Sequence, residues 1–249
     1  MIVFRSLVFN IWFFVATVIM GSAGIPVRWF AQRHALAIAQ RWAALVLDGA
    51  DFICGIRTVV IGREHLTIDG PALIAAQHQS AFDTMIWLRL LPRTAYVFKS
   101  ELARVPLFGP LLVPSGQIPV DRGASFSAVR SLLRGADRAK ADGRQIVIFP
   151  EGTRVTGGGI GPLRPGIAAL AARTKLPVIP VATDSGRRWG RRAFLKRPGP
   201  VHIVICKAIP PGLPQDELIE AIRQSWLDAR VLMTPVDKPV HGFAPAGPN

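Results

Sequence analysis

The chain reads as an α/β protein: a mainly parallel mixed sheet with helices on both faces, preceded by N-terminal membrane-associated helices. Three observations predict this. Between Thr58 and Leu232 short β-rich runs alternate with helical stretches, as expected of βα units feeding a parallel sheet. Those runs read as largely continuous apolar stretches, as in Ile146–Phe149 (IVIF), which suits strands covered on both faces. Finally, Leu7–Ile25 is almost unbroken hydrocarbon, interrupted by Asn10, Thr17 and Ser22; as a helix it would be about 28 Å long, close to one bilayer hydrocarbon thickness.

The elements follow in order. Residues 1–52 form a membrane-anchoring pair of helices. A single Arg5 and the small residues Ser22, Ala23 and Gly24 also permit a cleaved signal peptide. The anchor reading is favoured because Val27–Asp51 is a second hydrophobic stretch carrying Arg28, Arg33, Arg41, Trp29 and Trp42, the basic and aromatic residues that sit at a membrane interface. Their charge lies after the apolar segment, which places the following domain at the cytoplasmic face of the (inner) membrane. Both a spanning and a one-leaflet arrangement fit the pattern. Residues 53–233 form the α/β domain. Its predicted strands are Thr58–Ile61, Ala72–Ala76, Ala95–Phe98, Ile118–Val120, Gln145–Phe149, Val178–Val181 and Val201–Cys206, with helices near Ala81–Leu91, Phe126–Asp142, Ile167–Arg173 and Asp216–Leu232. Residues 234–249, rich in Pro, Gly and Ala, read as a flexible tail.

Composition narrows the partners. Thirty Lys and Arg against 16 Asp and Glu give a formal charge of +14, while half of the 249 residues are hydrophobic. Nucleic acid alone would explain the charge but not the hydrophobicity; a surface of anionic membrane lipids explains both. The two cysteines, Cys54 and Cys206, lie far apart with no His at metal-ligand spacing, which argues against a disulfide framework or a zinc site. The sequence assigns no oligomeric state.

Three segments carry chemistry, and each follows a predicted strand. The first is Gln77-His78-Gln79-Ser80-Ala81-Phe82-Asp83. Ser80 and Asp83 form an S-x-x-D capping pattern that starts a helix at Ser80. Within one continuous helix His78 and Asp83 would point about 140° apart. With His78 outside the cap, Asp83 can reach back to the imidazole, fix its tautomer and leave the other nitrogen free as a base. A capping Asp beside an incidental loop His is the plainer alternative. The second is Phe149-Pro150-Glu151-Gly152-Thr153-Arg154, at a strand's carboxyl end, where open α/β sheets place ligands. Here a backbone turn and charged side chains can converge on one anionic group, and the planar fork of Arg suits phosphate; a surface turn held by an ion pair is the alternative. The third is Gly116-Gln117-Ile118-Pro119-Val120-Asp121-Arg122, a short strand ending in a charged pair. Polar residues at the same edge of three strands are not expected by chance.

These segments resemble the motifs of the glycerolipid acyltransferases of the 1-acylglycerol-3-phosphate O-acyltransferase (lysophosphatidic acid acyltransferase) type. His78 and Asp83 match that family's His-x4-Asp, Gly116–Arg122 its second motif, Pro150–Arg154 its Pro-Glu-Gly-Thr/Ser-Arg without change, and Val178-Ile179-Pro180-Val181 its apolar fourth. Lys99-Ser100-Glu101-Leu102 and Pro106-Leu107-Phe108-Gly109 are similar to the segment between the first two. The resemblance spans roughly residues 72–185 with order and spacing kept. Departures are Gln77 for the usual Asn, Pro119 for an aromatic or β-branched residue, and Arg164 for the commoner Lys before Gly166; they bear on substrate identity more than on reaction type.

The resemblance implies acyl transfer from acyl-CoA or acyl carrier protein to a lysolipid hydroxyl, 1-acyl-glycerol-3-phosphate above all, with lyso-ornithine lipid as an alternative acceptor. It implies no metal and no cofactor beyond the acyl donor. His78 would be the general base, oriented by Asp83. Arg154 and Arg122 would hold the acceptor phosphate with Lys99 as a third contact, and Glu151, Gly152 and Thr153 would belong to the substrate site. A serine hydrolase built on Ser80 is disfavoured by the absence of G-x-S-x-G. A non-catalytic basic membrane-binding module would rest on Arg187-Arg188-Trp189-Gly190-Arg191-Arg192 with Lys196 and Arg197, a run read here as a headgroup or donor contact or a solvated loop; no nucleic-acid-binding signature accompanies it. His34, His65, His202 and His241 have no carboxylate at useful spacing.

Overall fold

A computed structural model describes residues 1–66, 70–121 and 125–233. Arg122 and the tail from residue 234 lie outside the described residues. The chain begins with α1 (Ile2–Phe30) and α2 (Ala35–Cys54), then β1 (Ile56–Ile61), β2 (Leu73–Ala76), α3 (Phe82–Leu90), β3 (Thr94–Lys99), the short α4 (Gly109–Leu112), β4 (Ile118–Val120), α5 (Ser125–Ala141), β5 (Gln145–Ile148), α6 (Gly166–Thr174), β6 (Val178–Thr183), β7 (Gly199–Ile205) and α7 (Gln215–Ala229).

The seven strands form one sheet in the order β1-β7-β6-β2-β5-β3-β4. All neighbours pair in parallel except β6 and β7, which are antiparallel. No α-helix lies between β6 and β7; a parallel return needs a long crossover, so the chain folds back in the opposite sense. Alternate strand residues feed two cores. Ile74, Ala76, Val147, Ile179 and Val181 pack with residues of α1, α2 and α3. Leu73, Ala75, Ile146, Ile148 and Val178 pack with α5, α6 and α7. Helices therefore cover both faces, as the apolar strands require.

This wiring creates the crevice for a site. The crossover after β2 runs through α3 on one face, and that after β5 runs through α6 on the other. Adjacent strands whose connections depart to opposite faces leave a gap at their carboxyl ends, the switch point where open α/β sheets bind ligands.

The first two helices pack along the α3 face. Gly49 of α2 lies against Trp12 of α1, where a Cβ would overlap the indole. Trp12 Nε1 donates to the Leu45 carbonyl at 3.0 Å, and Trp42 Nε1 to Thr17 Oγ1 at 3.1 Å. Phe9 and Ala16 are buried, whereas Phe4, Leu7, Ile11, Phe14 and Ile19 are exposed. Ile2–Val27 is long and apolar enough to cross a membrane.

Candidate active site

His78 lies in the turn between β2 and α3, with Asp83 in the first turn of α3. The helix starts at Phe82 rather than at the predicted Ser80, because Ser80 Oγ accepts the N–H of Phe82 in a local turn at 3.1 Å instead of capping α3. The reciprocal half of the capping pattern does form. Asp83 Oδ2 reaches back to accept the backbone N–H groups of Gln79 at 2.6 Å and Ser80 at 2.7 Å. The same oxygen lies 3.2 Å from His78 Nδ1. Asp83 is 2% exposed, so its charge is held by backbone donors and the imidazole rather than by water. With Nδ1–H donating to the carboxylate, Nε2 is left with its lone pair as the basic nitrogen.

The loop after β5 holds the histidine backbone. The N–H of His78 donates to Glu151 Oε2 at 2.8 Å, and the N–H of Val155 donates to the His78 carbonyl at 2.8 Å. The other oxygen, Glu151 Oε1, accepts the Gly161 N–H at 3.1 Å. Burial raises the Glu151 carboxyl from its ordinary range, opposed by these two N–H donors and reinforced by Asp83. Gly152 turns this loop with φ +70°, a conformation a side chain would strain. Phe149 stacks on the His78 ring at 4.2 Å between centroids, and Tyr96 lies behind Phe149 at 6.2 Å. Tyr96 donates its hydroxyl to the Thr84 carbonyl at 2.6 Å.

Two amides fix the flanks of the histidine. Gln77 Oε1 accepts the Thr183 N–H at 3.0 Å. Gln79 Nε2 donates to the Thr183 carbonyl at 2.8 Å, and its Oε1 accepts the Gly186 N–H at 3.2 Å. The end of β6 is thereby tied to both neighbours of His78.

The other predicted residues distribute unevenly. Arg154 is partly buried, and its guanidinium feels the Asp83 carboxylate; burial lowers its proton affinity, and Arg191 and Arg192 lower it further against the opposing pull of Asp83. Among the described residues no ion pair joins Glu151 to Arg154: the carboxylate is turned inward to His78, so the loop is not the ion-paired surface turn weighed above. Thr153 is exposed beside it. Lys99 ends β3, two strands from β2 in the sheet order, and its ammonium engages Glu101 at 2.8 Å. Among the described residues no three or more His, Cys, Asp or Glu side chains gather into a metal-holding group.

Sequence spacing overlooked one pair. His202 of β7 donates its backbone N–H to Asp184 Oδ1 at 2.8 Å and places Nδ1 2.9 Å from Oδ2. The expectation that His202 lacks a carboxylate is therefore wrong. The partner lies 18 residues away, and only the antiparallel return of β7 brings the two together.

A histidine with one nitrogen held by a buried carboxylate, at the carboxyl edge of a mainly parallel sheet and near an arginine, is a geometry suited to an α/β enzyme. A family model described as Acyltransferase matches residues 57–184, which include all of these groups. The chain belongs to this acyltransferase family. It is 32% identical over 184 residues to a 1-acyl-sn-glycerol-3-phosphate acyltransferase of Pseudomonas aeruginosa, covering 74% of this chain and 71% of that one. It is 33% identical over 170 residues to the putative 1-acyl-sn-glycerol-3-phosphate acyltransferase acl-2 of Caenorhabditis elegans, covering 67% of this chain and 60% of that one. The crystal structure of the 1-acyl-sn-glycerophosphate (LPA) acyltransferase PlsC from Thermotoga maritima shares the fold, with a TM-score of 0.78 at 21% identity over 96% of this chain and 100% of that one.

Proposed function

We propose that this protein is an O-acyltransferase that moves a fatty acyl group from a thioester, acyl-CoA or acyl carrier protein, to the free hydroxyl of 1-acyl-sn-glycerol-3-phosphate, giving phosphatidic acid. The observation that carries the reading is the His78–Asp83 contact at 3.2 Å, at a switch-point crevice that Arg154 also borders. The names of the relatives supply the acceptor.

The reaction follows from the geometry. A hydroxyl attacks a thioester slowly unless its proton is removed in step, and a positioned base contributes typically ~10²–10⁴-fold. His78 Nε2 takes that proton as the acceptor oxygen bonds to the thioester carbonyl carbon. The resulting tetrahedral adduct collapses to the new ester, breaks the C–S bond and expels the thiol sulfur, which receives the proton back from the imidazolium. Asp83, charged and screened from water, stabilises the imidazolium between these steps. Arg154 holds the acceptor phosphate. The clamp from Glu151 and Val155 keeps the imidazole from drifting, and a misplacement of about 1 Å can cost 10²-fold.

The apolar α1 suits a membrane-associated protein working on a lipid acceptor. The +14 charge favours an anionic surface, and the basic residues after α1 favour the cytoplasmic face. A purified, folded sample should acylate 1-acyl-sn-glycerol-3-phosphate within a panel of lysolipids offered with both donor types, and His78→Ala should abolish that transfer while leaving the melting curve in place. Full turnover by His78→Ala would remove the mechanism; transfer confined to a lysolipid without phosphate would remove the acceptor.

A further inference from the structure

The segment between β6 and β7 carries the most basic run of the chain, and the structure separates its arginines by what they touch. Arg188 is committed to backbone, donating to the carbonyls of Pro198 at 3.0 Å and Pro200 at 3.2 Å. Trp189 is buried, edge-on to Phe9 of α1 at 5.1 Å and to Phe13 at 6.0 Å. Arg191 and Arg192 are exposed and pair with no carboxylate among the described residues. Arg192 also holds φ +53°, a left-handed conformation that disfavours any residue with a Cβ.

Both ends of the run are fastened. At the start, Gly186 is bonded to Gln79, the residue after His78. At the end stands Lys196, 3% exposed and without an acidic partner among the described residues. Its ammonium donates to Asn10 Oδ1 at 3.0 Å and to the carbonyls of Ala193 at 2.9 Å and Phe194 at 3.0 Å, beneath the Trp189 ring at 5.1 Å. Its backbone N–H donates to Ser6 Oγ at 2.9 Å. A buried cation saturated by three oxygens is a fixed latch, so the arginines between Gly186 and Lys196 are suspended between the histidine turn and the apolar helix. Phe194 and Leu195 are exposed, and the Phe194 carbonyl accepts from Asn10 Nδ2 at 3.2 Å, so this apolar stretch lies beside α1.

We infer that Arg191 and Arg192, together with Arg154, form the phosphate-monoester site of the enzyme, taking the dianionic headgroup of the acceptor as it lies in the membrane surface. This rests on the reading that the acceptor carries a phosphate. The run leaves the turn beside His78 through the Gly186–Gln79 bond, and its exposed arginines carry no ion pair among the described residues. Burial chiefly lowers the proton affinity of Arg154, Arg191 and Arg192 add repulsion against the pull of Asp83, and a dianion would relieve that repulsion. Arg forks bind phosphate in pairs of charge-assisted bonds. A terminal phosphate monoester also occurs on coenzyme A, so the test must separate acceptor from donor.

The full chain, in mixed micelles, is compared with the Arg191→Ala/Arg192→Ala double variant and with Arg57→Ala/Arg223→Ala, which removes the same charge from exposed sites on β1 and α7. The acceptor KM is measured at saturating acyl-CoA, the acyl-CoA KM at saturating acceptor, and inhibition by inorganic phosphate in each protein. The inference expects the acceptor KM of the Arg191/Arg192 variant to rise about 10–100-fold, the scale of one or two lost charge-assisted bonds. Phosphate inhibition should weaken in parallel, with the donor KM and the control variant unmoved. Arg191→Lys/Arg192→Lys, which keeps charge but loses the forks, should fall between. An unchanged acceptor KM in a variant with the parental melting curve overturns the inference, and a rise confined to the acyl-CoA KM gives the site to the donor and overturns it too. Failure of the underlying reading looks different: the unaltered protein itself would not acylate the phosphate-bearing acceptor.

Discussion

The backbone N–H of His78 donates to Glu151 Oε2 at 2.8 Å across 73 residues of sequence. Because Glu151 Oε1 takes the Gly161 N–H, both carboxylate oxygens accept from the backbone, and the side chain braces the turn that carries the base. Glu151→Gln keeps one acceptor oxygen but sets an NH2 against the other N–H donor. It should lower kcat roughly 10–100-fold by letting His78 shift. Glu151→Ala leaves two N–H donors without this acceptor, at about 1–3 kcal/mol each. Steady-state kinetics and urea unfolding read these losses; a Glu151→Ala enzyme with parental kcat would show that the brace does not position the base.

The same carboxyl predicts a pH dependence of stability. Burial raises its folded pKa above that of the unfolded chain. The folded state therefore binds more protons than the unfolded state between the ordinary Glu value of about 4.3 and the raised one. Its contribution is fully present below the unfolded value and is lost as pH rises through the folded one. Unfolding free energy measured upward from about pH 4.3 should fall more steeply in the parent than in Glu151→Gln, which has no titrating group there. Parallel curves would contradict the assigned cause.

Asp83 Oδ2 accepts from three donors. Asp83→Asn keeps the volume and an acceptor oxygen for the turn but cannot stabilise an imidazolium. It should lower kcat on the order of 10²–10⁴-fold, with a much smaller change in acceptor KM, since this side chain points at His78 and the backbone rather than at substrate. A large KM effect with preserved kcat would move Asp83 from orienting the base to binding the acceptor.

How much of this was legible depended on the range of the interaction. Strand positions could be read closely because a strand buried on both faces must be largely apolar, and β5 after Gln145 and β6 before Thr183 are. The His78–Asp83 contact could be read because it is local: one turn and one helix start decide it. Glu151 could not. Beside Gly152 and Arg154 its sequence context suggests a charged turn, and only the pairing of β2 with β5 brings His78 above it. His202 and Asp184 meet for a similarly non-local reason. The three side-chain bonds of Gln77 and Gln79 to the end of β6 and the loop after it are invisible for the same cause, since an amide in a turn carries no pattern until its partner strand is placed.

The far face offers a test of packing independent of catalysis. Trp226 on α7 is fully buried with Leu218, Ile222 and Ala229, and its Nε1 finds no acceptor among the described residues. α7 presents these residues at helical spacing to the core against β6. Trp226→Ala should cost about 3–5 kcal/mol through lost burial and the cavity left behind. Trp226→Phe loses part of the ring but also removes a buried donor that gains nothing in the fold, so the two terms oppose and the net cost should stay below about 1.5 kcal/mol. Urea unfolding of both variants decides the matter. A Phe variant nearly as unstable as the Ala variant would mean that the indole N–H has a partner, and that α7 is held by a polar contact as well as by its apolar face.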